Sequence, residues 1–70
     1  MIVYSTFLEV NGLPTMYRVY KNGKLAFLNP FPAIDNAPIL FAKHTDTDWQ
    51  IKGTSDNQLV KQVISEMADV

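Results

Sequence analysis

Val10-Asn11-Gly12-Leu13-Pro14-Thr15-Met16-Tyr17-Arg18-Val19-Tyr20-Lys21-Asn22-Gly23-Lys24-Leu25 is the stretch that sets the fold class of this chain. It contains two Asn-Gly pairs, each between runs rich in apolar and β-branched residues. Asn and Gly both tolerate positive φ, so the pair between such runs is a strong hairpin signal. The first half of the chain therefore reads as three antiparallel strands, near residues 2–10, 13–20 and 24–29.

The second hairpin has two readings. With Asn22-Gly23 alone as a two-residue turn, Val19 faces Ala26 and Arg18 faces Phe27. With Lys21-Asn22-Gly23 as the loop, Val19 faces Leu25 and Tyr17 faces Phe27. The second register gathers four large apolar side chains on one face and is the preferred one. The choice matters, because a slip of one residue turns every side chain to the other face.

Asn29 to Pro38 carries three prolines, which lack the backbone donor a central strand needs. It reads as a loop anchored by Phe31 and Ile34, with Asn29-Pro30 as an ordinary turn initiator. A fourth strand follows at about 39–44, a turn through Thr45-Asp46-Thr47-Asp48, and a fifth strand at 49–52. In the last, Trp49 and Ile51 alternate with Gln50 and Lys52, as in a half-buried strand. Gly53-Thr54 break the pattern and Ser55 opens a helix, with Gln58 three residues on completing a capping box and Asp56 favouring the positive end of the dipole. Val60, Val63, Ile64 and Met67, with Leu59 beside them, form one apolar stripe, and Lys61, Gln62, Ser65 and Glu66 take the other side.

The expected fold is α+β: a single domain over residues 1–70, an antiparallel five-stranded meander in the order β-β-β-β-β-α, with the helix packed on one face. The alternative is a small five-stranded barrel capped by the helix. The expected core is Tyr17, Val19, Leu25, Phe27, Ile39, Phe41, Trp49, Ile51, Val60, Val63, Ile64 and Met67. In the first strand, Val3-Ser5-Phe7 and Tyr4-Thr6-Leu8 compete for the inward face.

Leu25-Ala26-Phe27-Leu28 and Ile39-Leu40-Phe41-Ala42 are apolar on both faces, whereas strands with one wet face normally alternate. One helix covers one face. The surplus points to an association surface on the face opposite the helix. Under the preferred register that face carries Met16, Arg18, Tyr20, Lys24, Ala26 and Leu28, joined by Leu40, Ala42, His44, Gln50 and Lys52. The partner-binding candidates are Met16, Arg18, Tyr20, Leu28 and Leu40, for a second copy or another protein, on this face or at a sheet edge. Apolar and aromatic groups with Arg and few acids are the usual mixture at protein interfaces. The alternative is a single-stranded nucleic-acid surface using Tyr20 with Arg18, Lys24 and Lys52.

Composition narrows the remaining classes. Of 70 residues 47% are hydrophobic and 19% charged, with a net charge of −1 that argues against general nucleic-acid affinity. There is no cysteine and one histidine, so neither a disulfide framework nor a dedicated zinc site is expected. No apolar run approaches the roughly 18 residues of a membrane span. Residues 1–6 carry no basic side chain and do not resemble a secretory signal, so a cytoplasmic protein is expected. His44, Asp46 and Asp48 are spaced to share one face of an extended segment, and a metal- or His44-dependent enzyme is the reading they allow. Turn chemistry explains the same residues more simply, since Asp and Thr side chains bond nearby backbone amides. The glycines stand singly, and no Gly-x-Ser-x-Gly elbow occurs. A non-enzymatic protein without cofactor, metal or small-molecule substrate is expected.

Overall fold

The computed structural model describes residues 1–32 and 36–69. Five antiparallel strands form one meander sheet, β1 (Ile2–Val10), β2 (Leu13–Asn22), β3 (Leu25–Pro30), β4 (Leu40–His44) and β5 (Trp49–Lys52). They lie in the order β1-β2-β3-β4-β5, followed by helix α1 (Asn57–Ala68). Because β1 and β5 each have a single strand neighbour, the sheet is open and the barrel alternative is not realised.

The first hairpin closes through Asn11-Gly12 with φ of 54° and 80°, the paired positive values of a type I′ turn. The second differs from both readings of the sequence. Asn22 pairs with Leu25, so the turn is Gly23-Lys24 and Val19 faces Leu28. Gly23 has φ 63° while Lys24 is not in the left-handed region, the signature of a type II′ turn with Gly first. The asparagine belongs to the strand instead of the turn. The three-residue loop preferred above is thereby corrected, and with it the facing of β3 and β4.

On the helix side lie Tyr4, Thr6 and Leu8 from β1, Tyr17 and Val19 from β2, Ala26 and Leu28 from β3, Leu40 and Ala42 from β4. Leu28 and Leu40, expected on the opposite face, are 0% exposed in this core. Ala26, Ala42 and His44 share that side. Leu25, Ile39 and Phe41, expected in the core, are 59%, 53% and 50% exposed. Phe27 is half-buried but lies on the open face beside Phe41. Of the other expected core residues, Tyr17, Val19, Val63 and Met67 are buried and Trp49 and Ile51 pack half-buried against them, whereas Val60 and Ile64 are half-buried outside the core cluster.

Leu59, Val63 and Met67 complete the core from α1, whose backbone comes closest to the two edge strands β1 and β5. Tyr17, Leu28 and Leu40 of the middle strands fill the space between. The helix is capped by Asp56, whose carboxylate accepts from the Gln58 N–H at 2.9 Å, so Ser55 is not the cap. Two side chains tie the helix to β1. Glu66 accepts from the Tyr4 hydroxyl at 3.0 Å and from the Thr6 hydroxyl at 2.7 Å. Gln62 accepts from the Glu9 N–H at 2.7 Å and donates to the Glu9 carbonyl at 2.9 Å.

The loop after β3 starts later than expected, because Pro30 is the last residue of the strand, buried opposite Tyr17. The fully buried Tyr17 hydroxyl donates to the Pro38 carbonyl at 2.7 Å, which ties the loop's far end to β2. Ile34 and Asp35 lie outside the described residues.

Candidate interaction surface

The face away from the helix is built from alternate residues of all five strands. One row runs Val3, Tyr20, Phe27, Phe41, Lys52 and a second Asn22, Leu25, Lys43, Gln50, each residue directly opposite the next. Ser5, Arg18 and Asn29 form a third, and Phe7 with Met16 a fourth. Of the sequence-derived candidates, Met16, Arg18 and Tyr20 stand on this face and Leu28 and Leu40 do not. The residues missed were Val3, Phe7, Leu25, Phe27 and Phe41: the last three were hidden by the wrong parity of β3 and β4, and Val3 and Phe7 by a first strand whose facing the sequence left open.

The face is more apolar than the sequence reading allowed. Phe7 is 67% exposed and Val3 51%, in line with Leu25 and Phe41. Phe27 and Phe41 meet edge to face with ring centroids 4.4 Å apart, an arrangement that aromatic quadrupoles favour. Around them a shallow groove of about 460 Å³ opens, floored by Tyr20, Leu25, Phe27 and Phe41 and flanked by Lys43 and Lys52. Next to it the Arg18 guanidinium stands 4.7 Å from the centroid of the Phe31 ring, within cation–π range. Phe31, expected to anchor the loop, is 52% exposed and lies against Arg18 of the open face instead.

Charge is unevenly divided between the two sides. Arg18, Lys43 and Lys52 stand on the open face, Lys24 stands in the turn at its rim, and Glu9 is the acid that shares the face's parity. Asp56, Glu66 and Asp69 belong to the helix and its caps, on the other side of the sheet. There the Tyr4 phenol is pushed well above its ordinary range, first by burial, then by its bond to the Glu66 carboxylate and by the charges of Glu66 and Asp69. Burial likewise raises Tyr17.

His44, Asp46 and Asp48 are placed by the β4–β5 turn. His44 lies on the helix side with its ring edge to face with Trp49, centroids 5.0 Å apart. The Asp48 carboxylate accepts from the Trp49 N–H at 2.9 Å, and Thr45 closes the turn by donating its N–H and hydroxyl to the Asp48 carbonyl at 2.7 and 2.9 Å. Among the described residues no group of three or more His, Cys, Asp or Glu side chains is gathered as a metal would require. None of the helices among them is long and apolar enough to cross a membrane.

The chain matches no protein-family model, no curated protein and no solved structure.

Proposed function

We propose that this chain is a non-enzymatic association module whose contact surface is the open sheet face, centred on Tyr20, Leu25, Phe27 and Phe41 with Met16 and Arg18 beside them. The observation that carries the reading is the exposure of Val3, Phe7, Leu25 and Phe41, each half or more in water on one continuous face. Contiguous exposed apolar patches rimmed by polar groups mark interaction sites in soluble domains. Aromatics and Arg at the centre with few acids give the composition of a protein interface.

Selection from a displayed random-peptide library on wild type and on Phe41→Lys tests it. The expected result is a family of peptides enriched on wild type and not on the variant. Equal enrichment on both would move the contact surface off this face.

A second reading rests on a specific observation: Tyr20, Phe27 and Phe41 share one row with Lys52, and Arg18, Lys43 and Lys24 lie around them. Aromatic platforms with nearby cations also bind single-stranded nucleic acid. Titration with oligothymidylate at low and moderate salt separates the two, since phosphate contacts weaken steeply with salt. Salt-sensitive binding lost in Arg18→Ala and Tyr20→Ala selects the nucleic-acid reading.

A further inference from the structure

The two edges of the sheet are protected very differently. β5 is four residues long, carries Lys52, and has the Trp49 N–H occupied by the Asp48 carboxylate. Short length and charge are the usual devices that keep an edge strand from pairing with another chain. β1 is nine residues long, pairs with β2 without a bulge over its whole length, and contains no proline. Residues 1–8 include no charged side chain. Over residues 2–8 nothing in its sequence discourages pairing.

The ladder fixes which backbone groups are free. Val10 and Leu13 close a two-residue hairpin, so they exchange hydrogen bonds, and the even-numbered residues of β1 bond to β2. The odd-numbered residues Val3, Ser5, Phe7 and Glu9 direct their N–H and C=O outward. Glu9 meets the Gln62 side chain with both groups, as the geometry requires. At Val3, Ser5 and Phe7 no described residue takes these groups up.

We propose that β1 is a homodimerisation edge, which pairs antiparallel with β1 of a second copy about a two-fold axis at Ser5. This register alone matches all three free residues of one copy with the three of the other. Ser5 lies opposite Ser5, and Val3 opposite Phe7, each pair exchanging both its backbone hydrogen bonds. It leaves the Gln62 cap on Glu9 in place, which ends the pairing at Phe7. On the open face the side chains are self-complementary. Val3 meets the partner's Phe7 on the open face, a β-branched–aromatic pair of the kind that stabilises sheets. No like charges meet across the axis within residues 1–8. A second copy is the occupant these features select, because an isologous contact needs one segment complementary to itself. The joined sheet carries the open face across both copies, from Tyr20 and Val3 of one to Phe7 and Met16 of its partner. The proposal stands independently of what binds that face.

Sedimentation over a wide concentration range, on wild type, Ser5→Pro, Ser5→Cys, Leu25→Cys and Phe41→Lys, tests it. Wild type should dimerise. Ser5→Pro removes only an outward N–H, so it should stay folded by circular dichroism and sediment as a monomer. The chain has no cysteine of its own. Ser5→Cys should therefore give a disulfide-linked dimer on mild oxidation much faster than Leu25→Cys, since directly opposed bonded residues lie about 5.5 Å apart, within disulfide reach. A strictly monomeric wild type, a dimeric Ser5→Pro, or equal cross-linking at positions 5 and 25 overturns the proposal. Should Ser5→Pro unfold, the cross-linking comparison decides alone. Phe41→Lys should remain dimeric. If it is monomeric while Ser5→Pro is not, copies associate through the open face and the edge proposal fails without harming the reading of that face.

Discussion

On the helix side of the sheet Val19, Leu28 and Leu40 are sealed from solvent, while one residue along the same strands Tyr20, Phe27 and Phe41 face the open side, with Phe41 half in water. The two faces draw on the same residue types from the same segments. What separates them is a single helix, because twelve residues of α1 can blanket one side only. Apolar composition therefore does not define a core. Cover does, and here the uncovered side keeps the aromatic residues that a covered one would bury. A second layer on that side would make the two faces equivalent.

The sharpest way to break this contrast is a neighbouring pair. Leu40→Ala should cost about 2–5 kcal/mol, from lost burial plus the cavity left behind, and unfold a domain of marginal stability. Phe41→Ala should cost about 1 kcal/mol, chiefly its edge-to-face contact with Phe27. Urea denaturation of both variants measures the difference. Equal costs would mean that Phe41 is covered in the free chain and that the faces are not distinct.

A second pair sharpens it with smaller effects. Tyr17→Phe strips the hydroxyl from the part-buried Pro38 carbonyl, and losing such a hydrogen bond costs about 1–1.5 kcal/mol. Tyr20→Phe should leave the midpoint unchanged, since the Tyr20 hydroxyl bonds to none of the described residues. A measurable loss at Tyr20 would give the open face a structural role in the monomer.

Which residues form strands and helix was legible from local chemistry: an Asn-Gly pair at or beside each hairpin turn, the proline-rich loop, alternation in β5 and the α1 stripe. Which face each strand shows was not legible for β3 and β4, and the reason is specific. Leu25-Ala26-Phe27-Leu28 and the residues around Phe41 are apolar at successive positions, so alternation carries no parity there, and facing is inherited from the turn. Reading Lys21-Asn22-Gly23 as the loop reversed it. The rejected turn through Asn22-Gly23 has the observed parity, offset by two residues. In β2 the alternation of Tyr17 and Val19 with Arg18 did carry parity, which is why Met16, Arg18 and Tyr20 were placed on the open face and Leu28 and Leu40 wrongly joined them. The dangling backbone of β1 was legible only in part: the lack of charge over residues 1–8 is in the sequence, but the position of the strand at an edge is a property of the sheet order.

The smallest expected effect concerns protons. Tyr4 stands on the helix side against Glu66, and its phenol is held above the ordinary value near 10 by burial and by that carboxylate. A group whose folded-state pKa is raised contributes stability that is complete below the unfolded pKa and lost as pH rises through the folded one. Tyr4 and Tyr17, both raised, should therefore leave stability flat with respect to their own titration from neutral pH to about pH 10 and make it fall beyond. Tyr4→Phe should cost about 1 kcal/mol at neutral pH, because its hydrogen bond to Glu66 is only part-buried and water replaces it in part, and should shallow the alkaline decline. Thermal unfolding of wild type and Tyr4→Phe from neutral pH into the alkaline range reads both quantities at once. An equally steep decline in the two proteins would mean that the alkaline response does not come from the helix-side contact of Tyr4 with Glu66.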